Sequence, residues 1–307
     1  MHRLNIYDPP GPNLLRDIFP YTAPPRIRLG EIPPAPSPAL DMFITDSTFR
    51  EGRQAKLPFS LSEAEDLFEK LHRLSGPEGV IRQSEFFLYS ARDRRLMDLC
   101  RSKDYKFPEI TGWIRASEKD IELAVEAEVR ETGILTSVSD YQIYLKLGST
   151  RTKAAELYLR AARMVLDKGM VPRCGFEDVT RADVYGFCIP LASELMKLRQ
   201  SSGTDIKIRL SDTLGLGITY PGAALPRGVP ALIRAFIEDA GVPGHLLEWH
   251  GHNDFHHALI NASSAWLYGC GGVSGTMNGM GERTGTASIE ALLVERSALV
   301  PPIMEEL

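Results

Sequence analysis

A chain of 307 residues that is 43% hydrophobic and 24% charged has the make-up of a globular protein with a substantial core, and its formal net charge of −5 argues against a nucleic-acid partner. No apolar run approaches the roughly 18 residues of a membrane span, and the N-terminus lacks the apolar segment of a secretory signal. The four cysteines, Cys100, Cys174, Cys188 and Cys270, show no CxxC spacing, so a disulfide scaffold and a zinc knuckle are excluded and a cytoplasmic protein with reduced thiols is expected.

Ten of the 21 prolines fall in residues 1–40, where no helix or central strand can be sustained, so this stretch is expected as an extended arm. Within it "NLLRDIFPY" carries enough apolar side chains to dock. From residue 41 to 295 short apolar or β-branched runs alternate with helical patterns. Eight strands are predicted, at 41–48, 81–89, 107–116, 133–139, 171–178, 205–213, 246–254 and 272–279. Between them "LSEAEDLFEKLHRL" and "TRTKAAELYLRAARMVLDKG" read as helices, the second with Ala154, Leu157, Ala161 and Val165 on one stripe. The count and length match a (β/α)8 TIM barrel, followed by a short tail at 296–307. A doubly wound open sheet is the alternative, but it lacks both a GxGxxG after the first strand and a GxxxxGK[ST].

Several predicted strands turn polar at their C-terminal ends, "TDSTFREGRQ", "FEDVTR", "SDT" and "HGHND", which is the end where barrel sites are built. Five of the seven histidines lie between His245 and His257. His250 and His252 are two apart, so a strand aims both imidazoles to one face, a spacing suited to a single metal ion. Glu51 is the candidate third ligand, and the set suits Mn²⁺ first, with Mg²⁺, Co²⁺ or Zn²⁺ as alternatives. His256 and His257 are expected to open the following helix, and His245 to lie in a loop. The glycine-rich "GTMNGMGERTG", residues 275–285, is expected as a mobile loop that closes over a ligand, with Glu282 and Arg283 as its charged pair.

"DSTFREGRQ" and "HGHNDFHHALINASSAWLYGCGGVSGTMNGMGERTG" together resemble the two signatures of the metal-dependent acyl-CoA Claisen enzymes on TIM barrels. That group contains isopropylmalate, homocitrate and citramalate synthases and hydroxymethylglutaryl-CoA lyase. "EFFLYSARDR", "FEDVTRADVYGFC" and "YPGAALPRGVPALI" look most like its Re-face citrate synthase branch, with phosphinomethylmalate synthase similar over the same stretches. The resemblance implies condensation of acetyl-CoA with a 2-oxo acid in a homodimer, on a metal held by Glu51, His250 and His252. It implies that Arg50 is catalytic and Glu177 an acid-base, and that Thr213, Arg115 and Gln54 bind substrate. For Arg115 an internal salt bridge is a competing reading. Thr286 stands where several relatives place a metal-approaching Asn, which implies a looser ligand set. The synthases carry a further catalytic histidine beyond the barrel, whereas the last histidine here is His257, so Glu177 and His256 are the candidates for the base. Homocitrate-type acceptors and a non-catalytic barrel are the other expectations; a lyase would need a Cys that the glycine loop lacks.

Overall fold

A computed structural model describes residues 4–17, 34–55 and 59–300. Eight parallel strands close in sequence order into one barrel: β1 (Phe43–Asp46), β2 (Ile81–Phe87), β3 (Glu109–Arg115), β4 (Glu131–Ser137), β5 (Val171–Glu177), β6 (Lys207–Asp212), β7 (Leu247–Gly251) and β8 (Gly272–Gly275), with β8 pairing back onto β1. Each predicted strand is present, so the open-sheet alternative is out. β4 begins two residues before its expected start. β8 stops at Gly275 instead of 279, because Met277 N–H turns away to bond Thr48 Oγ1.

The outer helices begin where short side chains can satisfy the first free N–H groups. Ser60 and Glu63 form a capping box on α2 (Leu61–Ser75). Ser90, Ser117, Thr150 and Ser288 accept from the third residue of α3 (Ala91–Arg101), α4 (Glu118–Glu126), α5 (Arg151–Asp167) and α9 (Ile289–Leu299). On α5, Ala154, Ala161 and Val165 are buried as expected, while Leu157 is only half-buried and Tyr158 takes the deeper position. The remaining helices are α1 (Thr48–Gln54), α6 (Ile189–Ser202), α7 (Val229–Glu238) and α8 (Ala258–Leu267). Among the described residues no helix is long and apolar enough to cross a membrane.

The strands divide their faces sharply. One set of alternate residues, such as Ile44, Phe86, Ile134, Phe176, Leu210 and Trp249, packs into the apolar layer under the helices. The other set faces the barrel axis and is charged: Glu85, Glu131, Arg173, Arg209 and Glu248 are all buried there. Arg173 bonds Glu85 at 2.6 Å and pairs with Glu131 at 3.1 Å, and Arg209 bonds Glu248 at 2.7 Å. Each buried charge thus has an opposite partner, without which it would be costly to desolvate.

Two segments flank the barrel. In residues 4–17, Asp8 accepts from Thr152 N–H, Pro9 O from Tyr144, and Asp140 from Asn13 N–H, so this part of the expected arm lies on α5 and the π-helical turn before it (Tyr141–Lys146). The rest of the arm up to residue 33 is outside the described residues, as are 301–307 of the expected tail. At the other end α9 runs through the expected boundary at 295, and Arg296 Nε donates to Met42 O at 2.6 Å, tying the helix to β1.

Candidate active site

The eight residues singled out from the sequence, Arg50, Glu51, Gln54, Arg115, Glu177, Thr213, His250 and His252, border one cavity of about 460 Å³ at the C-terminal ends of the strands. That volume lies in the range of small-molecule sites.

Glu51 reaches the cavity from α1, the short helix that starts two residues after β1, rather than from extended chain. Asp46 fixes this turn by accepting from Thr48 N–H at 2.9 Å, and it also accepts from the Thr48 and Ser84 hydroxyls. His250 lies on β7, with Nδ1 3.1 Å from Ser274 Oγ, which is itself 2.7 Å from Ser47 Oγ. That contact leaves Nε2 turned toward Glu51 Oε1 at 3.3 Å. His252 lies just past β7, where its backbone bridges to Thr286. The two imidazole centroids are 5.2 Å apart, and one donor atom from each of Glu51, His250 and His252 falls within 4.8 Å of the others.

These three side chains are chemically suited to a divalent cation. Glu51 Oε2 and Nδ1 of His252 are buried without a hydrogen-bond partner, an arrangement that a cation would relieve. Burial opposes ionisation of Glu51, but the adjacent Arg50 guanidinium and the His250 contact outweigh it and hold the carboxyl well below its usual range. Burial pushes His250 down and His252 down to about 4, so both rings are neutral near pH 7 and keep the lone pair a metal needs.

Arg50 is bound on three sides. It contacts Glu51 through Nη2 at 2.6 Å, Gln54 through Nη1 at 2.9 Å and Glu85 through Nε. Gln54 therefore touches the cavity while holding Arg50. Glu177 accepts from Ser137 at 2.9 Å, and Thr213 Oγ1 accepts Asp178 N–H at 2.8 Å. Arg115 sits at the rim: its side chain is 67% exposed, lies over Tyr89 and is clamped to Asp120 through Nε and Nη2. The salt-bridge reading of Arg115 is thus realised, with a carboxylate of α4, and the side chain also borders the cavity.

The structure bears on three further expectations. His256 is exposed, left-handed (φ 61°) and outside the cavity lining, so it is no base for this site, and α8 starts only at Ala258 with His257 at its N-cap. At Thr286, where a looser ligand set is expected, the hydroxyl pairs with Thr276 Oγ1 at 3.0 Å. The glycine-rich segment expected as a closing loop meets the strand ends through hydrogen bonds: Arg283 bonds Asp254 at 2.7 Å and Thr213 O at 2.6 Å, and Asn253 N–H bonds Gly285 O at 2.9 Å. From that segment only Glu282 borders the cavity.

The structure adds Trp113, Arg209 and Ser211 to the lining. Their signal in the sequence was the two-residue period: counting back from Arg115 gives Trp113, and counting back from Thr213 gives Ser211 and Arg209.

Fold and site together define a (β/α)8 barrel with a candidate divalent-metal centre at the C-terminal mouth of its strands. The chain belongs to the HMGL-like family, whose model matches residues 41–300. It is 57% identical over 97% of its length to a citrate (Re)-synthase of Syntrophus aciditrophicus, of which it covers 47%, and 44% identical over 95% to a citrate (Re)-synthase of Clostridium kluyveri, of which it covers 64%. A 2-phosphinomethylmalate synthase of Streptomyces hygroscopicus is 37% identical over 95% of this chain and is covered to 67%. The chain thus spans about half to two thirds of the length of these relatives. Its fold matches that of a hydroxymethylglutaryl-CoA lyase from Pseudomonas aeruginosa with a TM-score of 0.66 over 85% of this chain and 87% of that one, at 18% identity.

Proposed function

We propose that this chain forms the barrel of an acyltransferase that condenses acetyl-CoA with oxaloacetate to give citrate and CoA. The observation that carries the reading is the convergence of Glu51, His250 and His252 on a cavity bordered by arginines. Similarity to the two citrate (Re)-synthases supports oxaloacetate as the acceptor over the acceptor of the phosphinomethylmalate enzyme.

Glu51, His250 and His252 would hold a divalent ion, Mn²⁺ being the first to test, and a bound ion supplies Lewis-acid polarisation of the acceptor's carbonyl. Arg50, locked between Glu51, Glu85 and Gln54, presents fixed positive charge to the acceptor oxygen as it becomes an alkoxide. Glu177 takes a proton from the acetyl methyl group in this reading, which its position on the cavity and its hydrogen bond from Ser137 support. Thr213 borders the same cavity, and Arg115 lies at its exposed rim. The carbanion adds to the 2-oxo carbon, forming one C–C bond, and water then cleaves the thioester to release CoA. The protein works as a homodimer in the cytoplasm, where its four buried thiols stay reduced.

Replacing His252 with Ala tests this directly. Bound metal and CoA release with oxaloacetate should both fall to background; normal metal content with full activity overturns the proposal.

A further inference from the structure

Three arginines border the cavity, and they are not equivalent. Arg50 commits Nε, Nη1 and Nη2 to Glu85, Gln54 and Glu51. Arg115 is clamped on Asp120 at the exposed rim. Arg209 is fully buried and uses Nε on Glu248 at 2.7 Å and Nη1 on Glu85 at 3.0 Å, while its Nη2 has no hydrogen-bond partner among the described residues. A buried guanidinium N–H left unpaired is destabilising, and an anion would satisfy it.

The position of that donor is set by β6. Arg209, Ser211 and Thr213 share the inward face, and the register pairs Ser211 with His250 and Arg209 with Glu248. Arg209 therefore lies one inward step below the level of the metal-type cluster, a step of roughly 7 Å along a strand. The terminal carbons of a four-carbon diacid are about 4 Å apart by bond lengths, which with a hydrogen bond of about 3 Å spans the same step. The guanidinium is also held in orientation. Its Cζ is 5.2 Å from the centre of the Trp113 ring, whose other guanidinium contact, with Arg50, is at 4.9 Å. The indole occupies space that two glycines leave free: a Cβ on Gly133 or Gly175 would come within 2.1 or 2.6 Å of it.

We propose that Arg209 selects the acceptor: its free Nη2 binds the second, distal anionic group of a 2-oxo diacid whose 2-oxo acid end lies at Glu51, His250 and His252. This rests on the functional reading above and adds to it the residue that separates a diacid from a 2-oxo monoacid. Arg173, although equally buried, does not border the cavity.

The test is calorimetric binding of oxaloacetate and of pyruvate to the Mn²⁺-loaded full chain, in wild type, R209Q, R209K and R115Q. The wild type should prefer oxaloacetate by roughly 10- to 100-fold, the range of a charge-assisted hydrogen bond. In R209Q that preference should collapse to within about 3-fold while pyruvate affinity holds, and R115Q should keep the preference; a distal group read through one hydrogen bond predicts this pattern. Because R209Q leaves Glu85 and Glu248 short of a partner, circular dichroism accompanies it. If it does not fold, R209K, which keeps the charge and loses the fork, carries the comparison, with a reduced preference expected. A folded variant at position 209 with the wild-type preference, or a loss confined to R115Q, overturns the assignment. So does a wild type that binds both acids equally, whatever the variants do. A wild type that binds neither acid overturns the functional reading, and the assignment with it.

Discussion

Ser274 is as much a part of the candidate metal centre as the histidine it touches. Its hydroxyl, held by Ser47, occupies Nδ1 of His250 and so decides which ring nitrogen faces Glu51. Partners of this kind typically contribute 10- to 100-fold in metal affinity. Ser274→Ala should therefore weaken Mn²⁺ binding by about that factor with an unchanged circular dichroism spectrum, and a metal titration with wild-type affinity would count against it. Asp46 makes a second, pH-dependent statement. Burial, only partly offset by the Ser84 and Thr48 hydrogen bonds, pushes its carboxyl up to about 6, and burial likewise raises Asp212 to about 6. A raised carboxylate pKa means that the folded state holds its proton more tightly than the unfolded chain, so this contribution to stability is present at pH 4 and is lost as pH climbs to about 6. Asp46→Asn removes one of the two groups. The difference in Tm between Asp46→Asn and wild type should shift in the variant's favour from pH 4 to pH 6.5 and then level off; a difference independent of pH would show that Asp46 does not titrate in this window.

Strands were legible in the sequence as short apolar or β-branched runs, several with a polar C-terminal end, and the His-x-His pair was legible because a strand repeats every two residues. The inner charge layer was not. Parallel strands buried on both faces ordinarily read as nearly continuous apolar runs. Arg173, Arg209, Glu85 and Glu248 instead satisfy one another across different strands, and no local pattern announces which charges will meet. The same holds for Trp113, whose place depends on glycines in β4 and β5 that look like ordinary strand glycines until the barrel closes. His256 failed for a local reason: two turn residues after His252 carry the chain away from the mouth before α8 begins. The Trp113 slot makes an element-scale prediction. Gly133→Ala places a methyl group in the indole and should destabilise by about 1–3 kcal/mol. In a Trp113→Phe background, where the ring is smaller, the same substitution should cost clearly less. Equal costs in the two backgrounds, read from denaturation midpoints, would mean that the indole is not what the glycine accommodates.

At the scale of the molecule the open matter is what residues 4–17 hold. A proline-rich arm suggests a clasp between subunits, and the hydrogen bonds of this stretch to Asp140, Tyr144 and Thr152 give it a role within its own chain. Thr150 caps the third residue of α5, and Asp8 supplies the acceptor for the second, Thr152, so the arm completes the start of a helix that the helix itself leaves half satisfied. Leu4 and Ile6 pack against the apolar layer nearby. Removing residues 1–16 should therefore cost a helix-cap's worth of stability, about 0.5–2 kcal/mol, plus the exposure of that apolar contact, and lower Tm by several degrees. Sedimentation velocity should find the truncated chain at the same oligomeric state as the full one, since these contacts close within one subunit. A fall to a smaller particle, with Tm unchanged on dilution of the full chain, would move the arm's role from the helix it caps to the subunit beside it.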